Sequence, residues 1–477
     1  MIEKIQRDTN NAGDIIYKEI KIYNQTITLI YSEVLASGND ISNIILKNIS
    51  KIIDEKLTLP DDIFLFFYNS IPSHNVTKIK DYQDLLNKLW NGYTVFLLDD
   101  EHYFGIETRA TLDRGITSSE GEISVRGPKD SFTENFNKNL GLVRKRIKSE
   151  NLWVDSVEIG KQSKTKVGIL YMQNIVEDHL VKEIKKKLQS INIDGILDCG
   201  YLKDYLHEES TIFPTMITTE KPDLAAMALL EGKLVILCDN SPYSLILPCF
   251  FVDLFHTPDD YYQKPINISF IRIIRLIAFF ISILIPAYYI AITTHNHDAI
   301  TTDLLLNFLS QRLTVPFPAL VEALLMTVSF EILRESDMRM ASTMGTAVSI
   351  LGGLVLGDAA VSAGIISPIM IIVIAISAIS GLVFTSIELS SAIRYFRILL
   401  MILSSIFGIY GIFLGSLFLI IKLSSMHSFH KPYLAPFSPL LVKEQEDAFV
   451  RLNNVNQTKF RNPLLTKKNR VRGRKQK

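Results

Sequence analysis

Four long stretches in the second half of the chain contain no charged side chain. They span 276–297, 340–357, 359–387 and 398–421. Crossing the hydrocarbon core of a bilayer takes about twenty apolar residues in a helix. The pattern therefore predicts a polytopic helical membrane domain over 263–425, with spans at about 270–292, 343–364, 369–387 and 398–421.

The first predicted span has the flanks of a helix that starts on the cytoplasmic side. Arg272 and Arg275 lie at its beginning, and Tyr288 and Tyr289 lie near its end. Pro368 separates the second and third spans and is a predicted hinge.

A different pattern occupies 316–339, where apolar residues alternate with charges. This segment is predicted to be an amphipathic or re-entrant helix. Its candidate gating, ion-path or assembly residues are Pro316, Pro318, Glu322, Glu331, Arg334 and Glu335. Carboxylates are costly in lipid and normally face protein or a water-filled path. The alternative is a helix lying at the interface, with its charges in water and a local ion pair between Glu331 and Arg334.

Asp358 is the single charge within 340–387. It is expected to face the interior of the helix bundle or a pore, and it joins the candidate ion-path or assembly residues together with Pro368. Small residues let helices approach closely. Gly353, Gly357, Gly411 and Gly415 are therefore predicted helix-packing positions.

The first half alternates short strands with amphipathic helices. Residues 27–34 and 63–68 are predicted strands, and 40–56 a predicted helix. NGYTVFLLDDEHYFGI aligns without a gap with EGKLVILCDNSPYSLI at an offset of 140 residues. The pattern predicts two tandem α/β modules, 27–123 and 155–262, behind a polar segment 1–26; chance similarity is the alternative.

A connecting helix is predicted within 124–154, and its end carries Arg144, Lys145, Arg146 and Lys148. These cations suit the negative end of the helix dipole. A basic face toward lipid headgroups or an acidic partner explains them equally well.

Charge and composition exclude several function classes. Fifty basic and fifty acidic residues give no net charge and no bias toward nucleic acid. The three cysteines have no metal-ligand spacing and are expected to be buried thiols. A phosphate-binding loop is not present in the sequence, and His295 and His297 are a weak metal pair. We expect neither an enzyme nor a cofactor.

The ends of the chain bear on its orientation. The N-terminus has no apolar signal region, so the N-terminal soluble half is expected to be cytoplasmic. The predicted tail 426–477 is basic, with twelve Lys and Arg against three acids from 431 onward, which predicts a cytoplasmic C-terminus. Both ends on one side require an even number of crossings, and four is the number favoured.

Five stretches carry a resemblance to a known family. They are VRGPKDSFTENFNKNLGLVRKRIK (125–148), INIDGILDCGYL (191–202), PFPALVEALLMTVSFEILRES (316–336), GTAVSILGGLVLGDAAVSAGIISPIMIIVIAISAIS (345–380) and KPYLAPFSPL (431–440). Together they resemble the A-subunit family of GerA-type spore germinant receptors. The chain departs from the family at Asp358 and Ser362, where Gln and Glu are common.

The resemblance implies a multi-pass protein of the spore inner membrane that triggers germination. It implies a transporter-like B subunit and a lipoprotein C subunit as partners, a homo-oligomer in contact with membrane lipids, and a ligand-gated channel for monovalent cations. Three alternatives stay open: a non-conducting scaffold that relays the signal, the related membrane protein encoded with the SpoVA proteins, and a secondary transporter, which the few spans disfavour.

Overall fold

The computed structural model describes residues 1–22, 25–54, 63–71, 76–99, 102–110, 121–122, 126–207, 211–339, 353, 355–451 and 462–466. The chain divides into two compact units. The first comprises Met1–Glu209, Met216–Pro248 and Thr458–Lys477, and the second comprises Ser210–Thr215 and Cys249–Gln457. Half of the predicted span 343–364, residues 343–352 and 354, lies outside the described residues.

The first unit begins with an antiparallel five-stranded sheet. Its strands are β1 (Ile15–Ile22), β2 (Gln25–Ser32), β3 (Val76–Lys78), β4 (Tyr93–Leu97) and β5 (Tyr103–Glu107), in the order β1-β2-β4-β5-β3. Its helices are α1 (Ile2–Asp8), α2 (Gly38–Asp40), a π-helical turn (Ile41–Leu46), α3 (Lys47–Asp54), α4 (Ile63–Ser70) and α5 (Tyr82–Leu89). Every residue of β4 is buried, because helices cover both faces of the sheet there.

A second antiparallel sheet follows with the same pattern. Helix α6 (Phe136–Arg146) leads into β6 (Leu152–Ile159), β7 (Thr165–Met172), α7 (Asp178–Gln189), α8 (Gly200–Leu206), β8 (Ile217–Thr219), α9 (Pro222–Glu231), β9 (Leu234–Cys238) and β10 (Ser244–Leu247). The strand order is β6-β7-β9-β10-β8, the same as in the first sheet. Strands β2 and β7 begin 140 residues apart, at Gln25 and Thr165.

Three expectations for this region are corrected. Residues 63–68 are helical rather than a strand. A uniformly apolar run has no period by which the two could be distinguished. Phe67 packs against Phe96 with the two rings tilted and their centres 5.1 Å apart. The segment 1–26 is not merely polar, because β1 pairs along its full length with β2. The connecting segment 124–154 holds helix α6 but also the start of β6.

Arg144 is the largest fully buried side chain of the first unit. Its Nε and Nη2 donate to the two carboxylate oxygens of Asp14 at 3.1 and 3.0 Å, and its Nη1 donates to the Leu152 carbonyl at 2.9 Å. The guanidinium lies over the Trp90 ring at 4.2 Å. The residue expected to serve the helix dipole or a basic face therefore joins both sheets through one buried ion pair.

The second unit is mainly helical. Two short 3₁₀ helices (Phe251–Phe255 and Pro258–Tyr261) precede α10 (Pro265–Thr294), and a third (His297–Ala299) precedes α11 (Thr302–Arg312) and α12 (Ala319–Arg339). Residues 355–362 are helical. Then come α13 (Pro368–Gly381), α14 (Ile387–Phe407), α15 (Ile409–Ser425), a hairpin of β11 (His427–Ser428) and β12 (Lys431–Pro432), and a 3₁₀ helix (Val442–Asp447).

Two helices in the described part of the chain, α10 and α14, are long and apolar enough to cross a membrane; α13 and α15 are apolar but shorter. The expected helix over 398–421 is wrong. A break at Gly408, with φ of +60°, divides it into α14 and α15, and Asn296 Oδ1 accepts from the Ile409 N–H at 2.9 Å. Glycine tolerates this backbone conformation. Arg394 and Arg397 lie within α14, which begins at Ile387.

Contacts within this unit give the helix directions. The ends of α10 and α14 meet where His295 Nε2 contacts the Ser405 carbonyl at 2.8 Å. Tyr289, near the end of α10, packs in one core with Ala319 and Met370, which lie at the starts of α12 and α13. Helices α10 and α14 therefore run in one direction, and α12 and α13 run in the other.

A buried ion network surrounds the start of α10. Asp260 accepts from Arg272 Nε at 3.0 Å and from Arg275 Nη1 at 2.8 Å. Arg272 Nη1 also donates to Asp447 at 2.9 Å. Burial alone would raise the pKa of Asp260, but the two arginines lower it below its usual value. Arg272 and Arg275, which predicted a cytoplasmic start, are thus bound in an ion network that also contacts the segment around Asp447.

Candidate functional site

Helix α12 carries the charged residues that the sequence singles out. It begins after Pro316 and Pro318, both exposed, which cannot continue a preceding helix. Its buried face consists of Ala319, Glu322, Ala323 and Thr327. A stripe of Val321, Leu325, Val328 and Ile332 is exposed on the other side. The helix is amphipathic, but its buried face includes a carboxylate, that of Glu322.

Glu322 is fully buried at the start of α13. Its Oε1 accepts from the Ser367 N–H at 2.6 Å and from the Ser367 hydroxyl. Ser367 is the N-cap of α13, and Pro368 occupies the first turn. The positive end of a helix dipole stabilises an adjacent carboxylate. Arg312 Nε lies 4.0 Å from Glu322 Oε2, so this carboxylate joins α11, α12 and α13.

Glu331, nine residues further along α12, contacts three arginines. The distances to its carboxylate oxygens are 3.1 Å from Arg334, 2.9 Å from Arg394 and 3.3 Å from Arg397. Arg334 belongs to the same helix, and the other two belong to α14. Arg397 is 4% exposed and also donates to the Ser377 hydroxyl at 3.1 Å. The expected Glu331–Arg334 pair is present, but it is one part of a larger cluster.

We define the arginine cluster as Glu331, Arg334, Arg394 and Arg397. The sequence predicts only the local Glu331–Arg334 pair, because Arg394 and Arg397 lie 63 and 66 residues away from Glu331 along the chain. The signal that could have revealed the cluster was their spacing of three, which puts both on one face of a helix. Placing that face against α12 required the tertiary fold.

Comparison with known proteins shows the family to which this sequence belongs. Residues 3–462 match the model of the Bacillus/Clostridium GerA spore germination protein family. The chain belongs to this GerA family. Spore germination protein KA of Bacillus subtilis (strain 168) is 36% identical over 456 residues, covering 94% of this chain and 84% of that protein. GerQA of Bacillus cereus is 32% identical over 469 residues, covering 98% and 92%.

Two further similarities concern parts of the GerA-family chain. The uncharacterized membrane protein YfkQ of Bacillus subtilis (strain 168) is 38% identical over 344 residues, covering 72% of this chain and 66% of that protein. The crystal structure of the N-terminal domain of the A subunit of the Bacillus megaterium spore germinant receptor GerK3 is 28% identical, with a TM-score of 0.41, covering 52% of this chain and 94% of that one.

Three further candidate residues of this GerA-family chain are exposed. Asp358, which is expected to face the bundle interior or a pore, is on an exposed face of its helix, so in the single chain it does not face the interior. Glu335 is also exposed and pairs with Arg339 at 2.6 Å. Pro368 is exposed in the first turn of α13. An ion-path or assembly role for Asp358 stays a prediction.

The four predicted packing glycines fall into two classes. A Cβ at Gly411 would collide with the Leu403 carbonyl, and one at Gly415 would collide with Leu400. A Cβ at Gly353 would meet nothing within 4 Å, and one at Gly357 would reach only Ile371 at 3.9 Å. Close approach between α14 and α15 therefore requires glycine, whereas Gly353 and Gly357 have room for a side chain.

Proposed function

We propose that this chain is the A subunit of a nutrient receptor in the spore inner membrane, and that its oligomer forms a cation channel, or a channel-like signalling core, that triggers germination. Family membership over residues 3–462 supports the role in germination. The observation that carries the signalling role is the placement of buried ionisable groups between apolar helices, since such groups in membrane segments mark ion pathways and moving parts.

The helix directions support a cytoplasmic location for the arginine cluster. Helices α10 and α14 lead away from the side of α10's first residue, and α12 and α13 return. With the N-terminal half in the cytoplasm, Arg394 and Arg397 near the start of α14 would lie toward the cytoplasmic side, in keeping with the positive-inside rule. An even number of crossings, with four favoured, stays a prediction.

The soluble unit completes the proposal. Equal strand order in two sheets supports a tandem duplication of one α/β module. Both modules would lie in the cytoplasm and take part in assembly with a transporter-like B subunit and a lipoprotein C subunit. The chain would work without catalysis or a cofactor, in contact with membrane lipids, and would pass monovalent cations when the partner subunit binds the nutrient.

Electrical recording tests the channel proposal. Full-length chain reconstituted with its B and C subunits in a planar bilayer should show cation current that depends on the germinant. Asp358→Asn should change conductance or selectivity if this exposed carboxylate faces the shared axis of the oligomer. Asp303→Asn is the matched control, because that carboxylate is exposed in the first turn of α11 and is not a candidate ion-path residue. Identical currents in all three proteins would remove Asp358 from the ion path.

A non-conducting scaffold is the second candidate, and one observation favours it. Glu322 and Glu331, the carboxylates expected to attract cations, are both committed to contacts within the chain. A complex that assembles and responds to the germinant, yet passes no current without a further membrane protein, would establish the scaffold and rule out the channel.

A further inference from the structure

The arginine cluster carries more positive charge than it can neutralise. It comprises three guanidinium groups and one carboxylate, Glu331. Among the described residues, Glu331 is the only acidic side chain ion-paired with Arg334, Arg394 or Arg397. The neighbouring segment 340–357 contains no acidic residue. Because arginine stays protonated in proteins, the cluster has a net charge of +2.

The hydrogen-bond donors of the cluster are also in excess. The Nε–H groups of Arg334, Arg394 and Arg397 are buried and donate to no acceptor in the part of the chain that the structure describes. Each forked guanidinium matches the two oxygens of a phosphate or carboxylate group. Buried charge without a counter-charge is costly, so a site of this composition is suited to an anion.

The cluster is accessible from one side. The side chains of Arg334 and Arg394 are 20% and 28% exposed, whereas that of Arg397 is 5% exposed. Arg397 therefore forms the floor of the site, and the other two form its rim. An anion can therefore reach the exposed parts of the Arg334 and Arg394 side chains.

Exposed apolar side chains lie on both helices that form the rim. On α12, Met338 is 56% exposed, one turn after Arg334, and Ile332 is 61% exposed; on α14, Tyr395 is 62% exposed. Positive charge bordered by exposed apolar and aromatic groups is the surface that a lipid meets with its headgroup and acyl chains together. A free phosphate ion would use only the charged part.

We propose that the arginine cluster binds the phosphate group of an anionic phospholipid, with Arg397 as the buried contact and Arg334 and Arg394 as the outer clamp. Glu331 holds the three guanidinium groups together and lowers the affinity for the anion. This inference rests on the membrane location given under the proposed function. It does not require the chain to conduct ions.

The test is a binding titration of the full-length, delipidated chain by native mass spectrometry. The probes are short-chain phosphatidylglycerol, phosphatidylcholine and inorganic phosphate. Phosphatidylglycerol should bind in preference to phosphatidylcholine, and Arg334→Gln with Arg394→Gln should weaken it about tenfold or more. Arg339→Gln should leave binding unchanged, because Arg339 is exposed at the end of the same helix and pairs with Glu335.

A gain-of-binding variant guards against loss of folding. Glu331→Gln raises the cluster to +3 and should tighten phosphatidylglycerol binding several-fold, which an unfolded protein could not do. Inorganic phosphate that competes as well as the lipid would support a phosphate site and identify its occupant as the free ion. Equal binding of all variants would overturn the proposal, as would an oligomeric state that depends on Arg394 while lipid binding does not.

Such outcomes are separable from those of the channel experiment. Lipid binding is measured without germinant, partner subunits or current. A chain that binds phosphatidylglycerol through the cluster and passes no current would keep this inference and remove the channel. A complex that conducts cations, but whose Arg394→Gln variant binds lipid normally, would keep the channel proposal and remove this inference.

Discussion

Two buried arginines, one in each unit of this chain, have surroundings of different charge. Arg144 in the sheet unit meets one carboxylate, Asp14, in a two-bond contact, with a carbonyl and an aromatic ring completing its surroundings. Arg397 in the helical unit shares one carboxylate with two other arginines. The first arrangement is balanced and therefore suits a fixed structural joint. The second retains excess charge and suits a site that meets something outside the chain.

The largest expected effect comes from removing the carboxylate of the buried Asp14–Arg144 pair in the sheet unit. Asp14→Ala leaves Arg144 buried without its counter-charge and should destabilise the unit by about 3–5 kcal/mol. Urea unfolding of the full-length chain, followed by tryptophan fluorescence, measures this, because Trp90 lies against Arg144. The double variant Asp14→Leu with Arg144→Met should recover much of the loss, since it removes both charges.

A surface pair provides the control for that prediction. Lys185 contacts Asp155 at 3.0 Å, with 43% of the lysine side chain exposed. Lys185→Gln should cost less than about 1 kcal/mol. If Asp14→Ala costs no more than Lys185→Gln, the buried pair is not a structural joint and the contrast with the arginine cluster fails.

The next effect concerns a balanced carboxylate inside the helical unit. Glu322→Ala removes the acceptor for the Ser367 N–H and hydroxyl and should weaken the start of α13 by about 2–3 kcal/mol. Hydrogen–deuterium exchange of the amides at Ser367 and Met370 should become faster. Glu322→Gln keeps an oxygen acceptor and should show a smaller change. Unchanged exchange in Glu322→Ala would mean that Glu322 does not hold the N-cap residue Ser367 in place and is available for another role.

A third prediction asks whether shape, rather than charge, holds α14 in place. Gly415→Leu forces a side chain into Leu400 and should cost about 1–3 kcal/mol, measured by thermal unfolding in detergent. Gly357→Ala is the matched control, because its new methyl would meet only Ile371 at 3.9 Å. If Gly415→Leu is tolerated as well as Gly357→Ala, close packing does not fix α14, and the arginine cluster must contribute to its position.

The sequence predicts elements best where the pattern of apolar residues has a clear period or length. The charge-free stretch 276–297 lies almost wholly within α10, and the 140-residue offset reappears in the starts of β2 and β7. It fails where the run has no period, as at 63–68, and where one glycine divides a long apolar run, as at Gly408. Backbone breaks of this kind depend on neighbours such as Asn296.

For the candidate site, the sequence identifies residue types but not their partners. Glu322 and Glu331 stand out because carboxylates are rare in apolar helices. Their contacts, Ser367 and Arg394, are 45 and 63 residues away along the chain, and no local rule links them. Asp358 shows the converse, since isolation in an apolar stretch suggested burial whereas the single chain leaves it exposed.

The smallest expected effect concerns Glu122 and tests how a buried carboxyl group differs from a buried arginine that lacks a counter-charge. Burial raises the pKa of Glu122 to about 7, although the Thr219 hydroxyl donates to it at 2.6 Å and Lys221 also opposes the shift; Glu220 reinforces it. Because the folded chain holds this proton more tightly than the unfolded one, the contribution to stability is complete below about pH 4.5. It is lost as the pH rises through about 7, so the free energy of unfolding should be lower at pH 8 than at pH 5.

Glu122→Gln should remove that part of the pH dependence, because the amide mimics the protonated acid, whereas Glu158→Gln, exposed on β6, should not. Unfolding curves at pH 5 and pH 8 measure the difference. A buried carboxyl group can thus lose its charge by binding a proton. A guanidinium group stays charged at any physiological pH. If Glu122→Gln leaves the pH profile unchanged, the sheet unit gives no example of a buried carboxyl group that is neutralised by a proton. The argument for an external anion then rests on the arginine cluster alone.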